Sequence, residues 1–250
     1  DALESGDHEG PRLPRARLGH AQEVWFADRS DTEAAVASML AAEESIATAM
    51  KLRPNHDPTL NAVLFIGETW KDKADVNKVN TDDLADAREF FGRMAKRFEV
   101  ADWWNNYAFW CRETALAAEA SGDTQAAKEL FERSYRAYEK TIALEPDNAR
   151  YVNDTGLIQL YYLHDDLERA EKLFYRAWEL GKTICDNPFV DESVAAENLS
   201  AYGDAMLNLA ELNRQRGDLQ KAKEINDQLL AISPERPDAQ RMRRQIEAAL

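Results

Sequence analysis

Two cysteines in 250 residues, Cys111 and Cys185, supply neither a CxxC pair nor a disulfide framework. With only 10 glycines, 8 prolines and no alternating run rich in Val, Ile and Thr, a sheet protein and a low-complexity linker are both excluded for most of the length. Long apolar runs are missing too. The longest, residues 62–67, falls far short of the roughly 18 apolar residues of a membrane span, so a soluble chain is expected. Basic side chains are outnumbered 46 to 31, and a formal charge of −15 repels a phosphate backbone, which disfavours DNA or RNA as partners. What is abundant is alanine, 39 residues, within a 44% hydrophobic composition. That mixture can bury a core and predicts an all-α protein. The chain starts at Asp1 with no basic, apolar leader, as a processed chain or a fragment of a longer one would, and the compartment stays open.

The helices are expected to repeat. Asp82-Asp83-Leu84 with Ala87, Phe91 and Arg93 aligns without gaps on Asp165-Asp166-Leu167 with Ala170, Phe174 and Arg176, a DDLxxAxx(F/L)FxR frame. A second register carries residues 30–35 onto 122–127, Pro54 onto Pro146 and Asn61 onto Asn153. A fifth unit follows with Gly217-Asp218-Leu219, Ala222 and Pro234.

This sequence resembles the tetratricopeptide-repeat (TPR) family. The resemblance rests on a small residue at the interhelical turn, then Asp, Ala four residues on, an aromatic four after that and a closing proline. Ala87, Ala127, Ala170 and Ala222 match the small residue of the second helix, helix B, and Phe91, Phe131 and Phe174 the aromatic; Asn226 departs from it. The resemblance implies a right-handed α-solenoid of about five helix–turn–helix units, with first helices (helices A) lining a concave face. The units are placed at about 15–56, 57–98, 102–148, 149–184 and 191–235, as one solenoid domain over 15–250. A flexible leader spans 1–14 and a capping helix 237–249. Asp123 and Pro146 lie seven residues further apart than Asp218 and Pro234. Seven residues are about two helical turns, so units one and three are expected to carry helices B lengthened by two turns, packed on a long residue 101–120 helix. Residues 71–80 and 182–191 are expected as loops.

No phosphate loop, dinucleotide fingerprint, nucleophile elbow, HExxH or EF-hand loop is present, so no catalytic residue, metal ligand or cofactor is predicted. His164-Asp165-Asp166 could contribute to a metal site, but an Asp capping a helix N-terminus accounts for it, as the homologous Asp82-Asp83 without histidine indicates. The pair Glu43-Glu44 is expected on a solvated helix face, and Asn153 and Asn198 begin sequons on predicted helices, as coincidences.

Binding candidates come from an aromatic cluster and from the family frame. Trp103, Tyr107 and Trp110 form one stripe of a helix, and Trp104, Ala108 and Cys111 the next. One stripe must be core, and the other is either core or an anchor for a partner. The family frame adds Phe109, Arg112 and Leu116, then Val152, Thr155, Gln159 and Tyr162, then Asp204, Leu207, Glu211 and Arg214 as groove-lining positions. A two-carboxylate chaperone clamp is not expected, because only Arg112 and Arg214 match it. The resemblance implies a non-catalytic scaffold for a protein or peptide, and the charge favours a neutral to basic one. Two rival readings remain: a regulatory module of a larger polypeptide, and a structural protein that self-associates as a homodimer.

Overall fold

Aspartate side chains start three of the helices. Asp123, Asp166 and Asp218 each accept a hydrogen bond from the backbone N–H three residues on, at 3.0, 2.9 and 3.1 Å, satisfying donors that the first helical turn leaves open. Just before two of these caps, Gly122 and Gly217 sit at φ +87° and +79°, a left-handed turn that suits a residue without Cβ. The third turn departs from that plan: His164 takes the left-handed position at φ +59° and Asp165 intervenes before the cap.

The computed structural model describes residues 81–98 and 100–250, together with positions 41, 44, 45 and 48. The leader 1–14, unit one with its lengthened second helix apart from those four positions, the first helix of unit two and the residue 71–80 loop lie outside the described residues. Two bodies divide the chain, residues 1–83 and 84–250. In the first, positions 41, 44, 45 and 48 and residues 81–83 are helical, and the hydroxyls of Ser45 and Thr48 donate to the carbonyls of Ala41 and Glu44.

The second body is all-α, with no strand among the described residues. Its elements are α1 (Thr81–Phe98, counted here from Leu84), α2 (Ala101–Ala120), α3 (Thr124–Leu144), α4 (Ala149–Ile158) continued by a π-helical turn (Gln159–Leu163), α5 (Leu167–Cys185), α6 (Glu192–Gln215), α7 (Leu219–Ile232) and α8 (Pro237–Glu247). Helices α3 and α7 close before Pro146 and Pro234, and Pro237 opens α8 where its missing N–H costs nothing. One expectation is corrected here, since residues 182–185 belong to α5 rather than to a loop.

Helix α3 has 21 residues and α7 has 14, the two-turn difference read from the cap-to-proline spacings. The added length is packed. Ala127, Leu130 and Phe131 cluster with Ala115, whereas Ala137 and Tyr138 cluster with Ala108, two turns earlier on α2. Between them Ser134 donates to the Ala108 carbonyl at 2.7 Å, which satisfies both groups in the interior. Phe174, fully buried, joins α4, α5 and α6 in a cluster with Leu160, Tyr202 and Met206. A Cβ on Gly156 would lie 2.7 Å from the Phe174 ring, so the close approach of α4 requires glycine there. Asn226, the departure from the aromatic position, is buried and donates its amide to the Ala239 carbonyl at 3.1 Å, tying α8 to α7.

Candidate functional site

The tryptophan cluster is interior. Trp103, Ala108, Trp110 and Cys111 have essentially no surface, and Trp103 packs on Phe91 of α1 with ring centroids 5.7 Å apart. Trp104 and Tyr107 are half-buried and meet edge to face. Both stripes of α2 therefore serve the core, and Trp103 is withdrawn as a partner anchor. Desolvation pushes the Cys111 thiol up to about 11, against the opposing hydrogen bond of Tyr107, which keeps it protonated at neutral pH.

Val152, Thr155 and Gln159 are also corrected. All three are buried. Val152 packs on Leu173, Ala177 and Ala205; the Thr155 hydroxyl donates to the Tyr151 carbonyl at 2.8 Å; and the Gln159 side-chain carbonyl accepts from the Asp166 N–H, closing the turn. Glu211 is 8% exposed and receives Arg214 and Gln215. Leu116 and Tyr162 are half-buried against the Ala115–Phe131 cluster, with Tyr162 stacked on Phe131 at 4.4 Å.

The reason lies in the turn after α4. Counting back from a cap assumes equal turns, but Asp165 is an extra residue there, and the π-helical turn takes up another without advancing the helix. Each such residue rotates the count by about 100°. The outward stripe of α4 is accordingly Arg150, Asp154, Leu157 and Tyr161, spaced i, i+4, i+7 and i+11. The frame itself missed Asp154 and Tyr161. Their signal in the sequence was the doubled Asp165-Asp166 where units three and five have one aspartate.

With α4 turned this way, Arg112 of α2 and Asp204 of α6 both act on Asp154 of α4, so one face draws side chains from all three helices. On α2, Arg112 lies over the Phe109 ring at 4.9 Å and donates twice to Glu113, at 2.9 and 2.8 Å. On α4 and α6, Tyr161 donates to Asn208 at 3.0 Å, and Asn208 donates to Asn153 at 2.9 Å. Asp204 of α6 is held by Arg236, which also binds Asp238 at 2.8 Å. Leu207 and Arg214 complete the row, both half-buried. Despite burial, hydrogen bonds from Arg214 and Gln215 hold the Glu211 carboxyl below the usual range. The cations of this face are thus largely engaged by its own carboxylates, while the Tyr161 ring stays 39% exposed.

Asp154 differs from the other acids in the row. Desolvation raises its pKa above 3.8, with nearby Asp204 adding to the shift, while Arg112, Arg150 and an Asn153 hydrogen bond oppose it. A raised carboxyl pKa contributes stability that is complete below the unfolded-state value and lost as pH rises through the folded one. Asp154→Asn is therefore expected to raise Tm at neutral pH, with the gain shrinking as pH falls through the carboxylate range. A lower Tm for the variant at pH 7 would mean that Arg112 and Arg150 outweigh the desolvation.

Among the described residues, no three His, Cys, Asp or Glu side chains converge as a metal site requires. Nor is any described helix long and apolar enough to cross a membrane.

The sequence matches no family profile and no curated protein. Structural comparison does find similar folds. A thermophilic TPR protein of Thermus thermophilus aligns over 94% of this chain and 98% of its own, with a TM-score of 0.53 at 18% identity. The fold is the tetratricopeptide-repeat fold. BtubC of P. vanneervenii also aligns, over 98% of this chain and 93% of its own, at 16% identity and a TM-score of 0.35. Along the chain α2, α4 and α6 alternate with α3, α5 and α7, and α8 follows α7.

Proposed function

We propose that this TPR chain is a non-catalytic scaffold that holds a peptide or a helix of a partner protein along the face formed by α2, α4 and α6. The observation that carries this is the row of Phe109 and Arg112, Asp154 and Tyr161, and Asp204 and Leu207, drawn from those three helices. It offers rings and carboxylates without a nucleophile–base pair. Rings supply contact area at low entropic cost. The carboxylates, on a chain of net charge −15, favour a neutral to basic partner and speed its encounter at low salt.

The test is affinity capture from the source lysate at low and physiological salt, read by mass spectrometry, with Phe109→Ala/Tyr161→Ala as comparison bait. A discrete partner retained by the wild type and lost from the variant is the expected result. Capture that the variant leaves unchanged, or no partner at either salt, would remove the proposal.

A further inference from the structure

Away from that face, a notch of about 530 Å³ opens at the edge of the solenoid where one unit is joined to the next. One wall is the end of α3, its turn through Pro146 and the start of α4; the other is Ile184 near the end of α5 with Val194, Asn198 and Ala201 on the first turns of α6. The cause is a length mismatch. Helix α5 runs through Cys185 and α6 has 24 residues, against 10 plus a five-residue turn for α4. The first turns of α6 leave Val194 44% exposed, and Leu144 across the notch is 42% exposed. The connection between Ile184 and Val194 carries Phe189, 94% exposed. Exposed apolar side chains on facing walls of an open notch, here Leu144 and Val194, mark an interaction surface.

Charge selects the occupant. Glu145 and Asp147 line the notch, and Asp186, Asp191 and Glu192 lie in sequence between the lining residues Ile184 and Val194. The cations nearby are Arg150 in the lining, Arg176 paired with Asp147 at 3.5 Å and Lys182 paired with Asp186 at 2.6 Å. A second copy of this chain would bring the same excess of carboxylates against it, a repulsion that a basic segment would not meet.

We propose that this notch is a second docking site, for a segment of another protein that presents an aliphatic or aromatic side chain flanked by Lys or Arg. The apolar side chain enters between Leu144 and Val194, and the flanking cations meet Glu145 and the acidic connection. Apart from Arg150, which also stands on the outward stripe of α4, the residues of this site are not those of the α2–α4–α6 face.

The probe is a fluorescein-labelled Lys-Lys-Leu-Phe-Lys-Lys peptide titrated with the full chain and read by anisotropy at low and high salt. Saturable binding is expected, weakened by salt. Leu144→Ser/Val194→Ser should weaken it about tenfold, as loss of apolar contact at both sites implies. Glu145→Lys should weaken it at low salt and flatten its salt dependence. All three positions are at the surface, so the variants' circular dichroism and melts should match the wild type, and Tyr161→Ala should bind the peptide normally. Four results would overturn the proposal: no saturable binding; equal binding of Lys-Lys-Gly-Gly-Lys-Lys or Glu-Glu-Leu-Phe-Glu-Glu; binding unchanged in Leu144→Ser/Val194→Ser; or loss of binding in Tyr161→Ala. Wild-type dimerisation that Leu144→Ser/Val194→Ser abolishes, seen by analytical ultracentrifugation, would also overturn it by making a second copy the occupant.

Discussion

Phe174→Ala is expected to destabilise the Leu84–Leu250 body by about 3–5 kcal/mol, the range for removing a fully buried aromatic ring and leaving a cavity. At a chain of this size that lowers Tm by on the order of 10 °C. The size of the effect follows from position. The ring belongs to α5 but fills the space against Gly156 of α4 and the Tyr202–Met206 stretch of α6, so its loss loosens two interfaces together. Collapse to refill the space would have to move α4, whose Gly156 backbone is already in contact with the ring. Thermal melts of wild type and variant decide the matter. A variant melting within a degree or two of the wild type would mean that the alanine–aromatic register does not organise this core.

Trp103→Ala is the second large effect, again about 3–5 kcal/mol. Trp103 is fully buried, and its ring tilts at 46° against Phe91, joining α2 to α1. Trp104→Ala should cost distinctly less, because that ring is half-buried and keeps surface in the folded state. Urea unfolding of the two variants separates the roles: a displaced midpoint with unchanged slope for Trp103→Ala is expected. A Trp103→Ala protein as stable as the wild type, yet defective in partner capture, would return that residue to the binding surface.

Much of this molecule was legible one residue at a time. Asp123, Asp166 and Asp218 cap because a short side chain there reaches the open N–H groups of the following turn, whatever packs around it. The long α3 was countable as seven extra residues between a cap and a proline, and its two alanine–aromatic registers landed on Ala115 and Ala108 of α2. The candidate site was less accessible. Phe109, Arg112, Asp204, Leu207 and Arg214 stand on the outward row, while Val152, Thr155 and Gln159 face inward. Trp103 and Trp104, adjacent and identical in type, differ in burial because consecutive helical positions point about 100° apart.

By itself, the sequence determined, among the described residues, that the chain is helical, where the three Asp-capped helices begin and which side chains pair within the α2–α3 hairpin. Those outcomes depend on contacts a few residues apart and on a volume match between Ala and an aromatic ring. Only the tertiary structure decided which side of α4 faces outward, that both tryptophan stripes pack into the core with Trp104 and Tyr107 only half-buried, and that a notch opens beside Pro146. A helix's buried side is set by every neighbour at once. One added residue in a turn rotates it by a quarter of a circle or more, and an overhang exists only when adjoining helices differ in length.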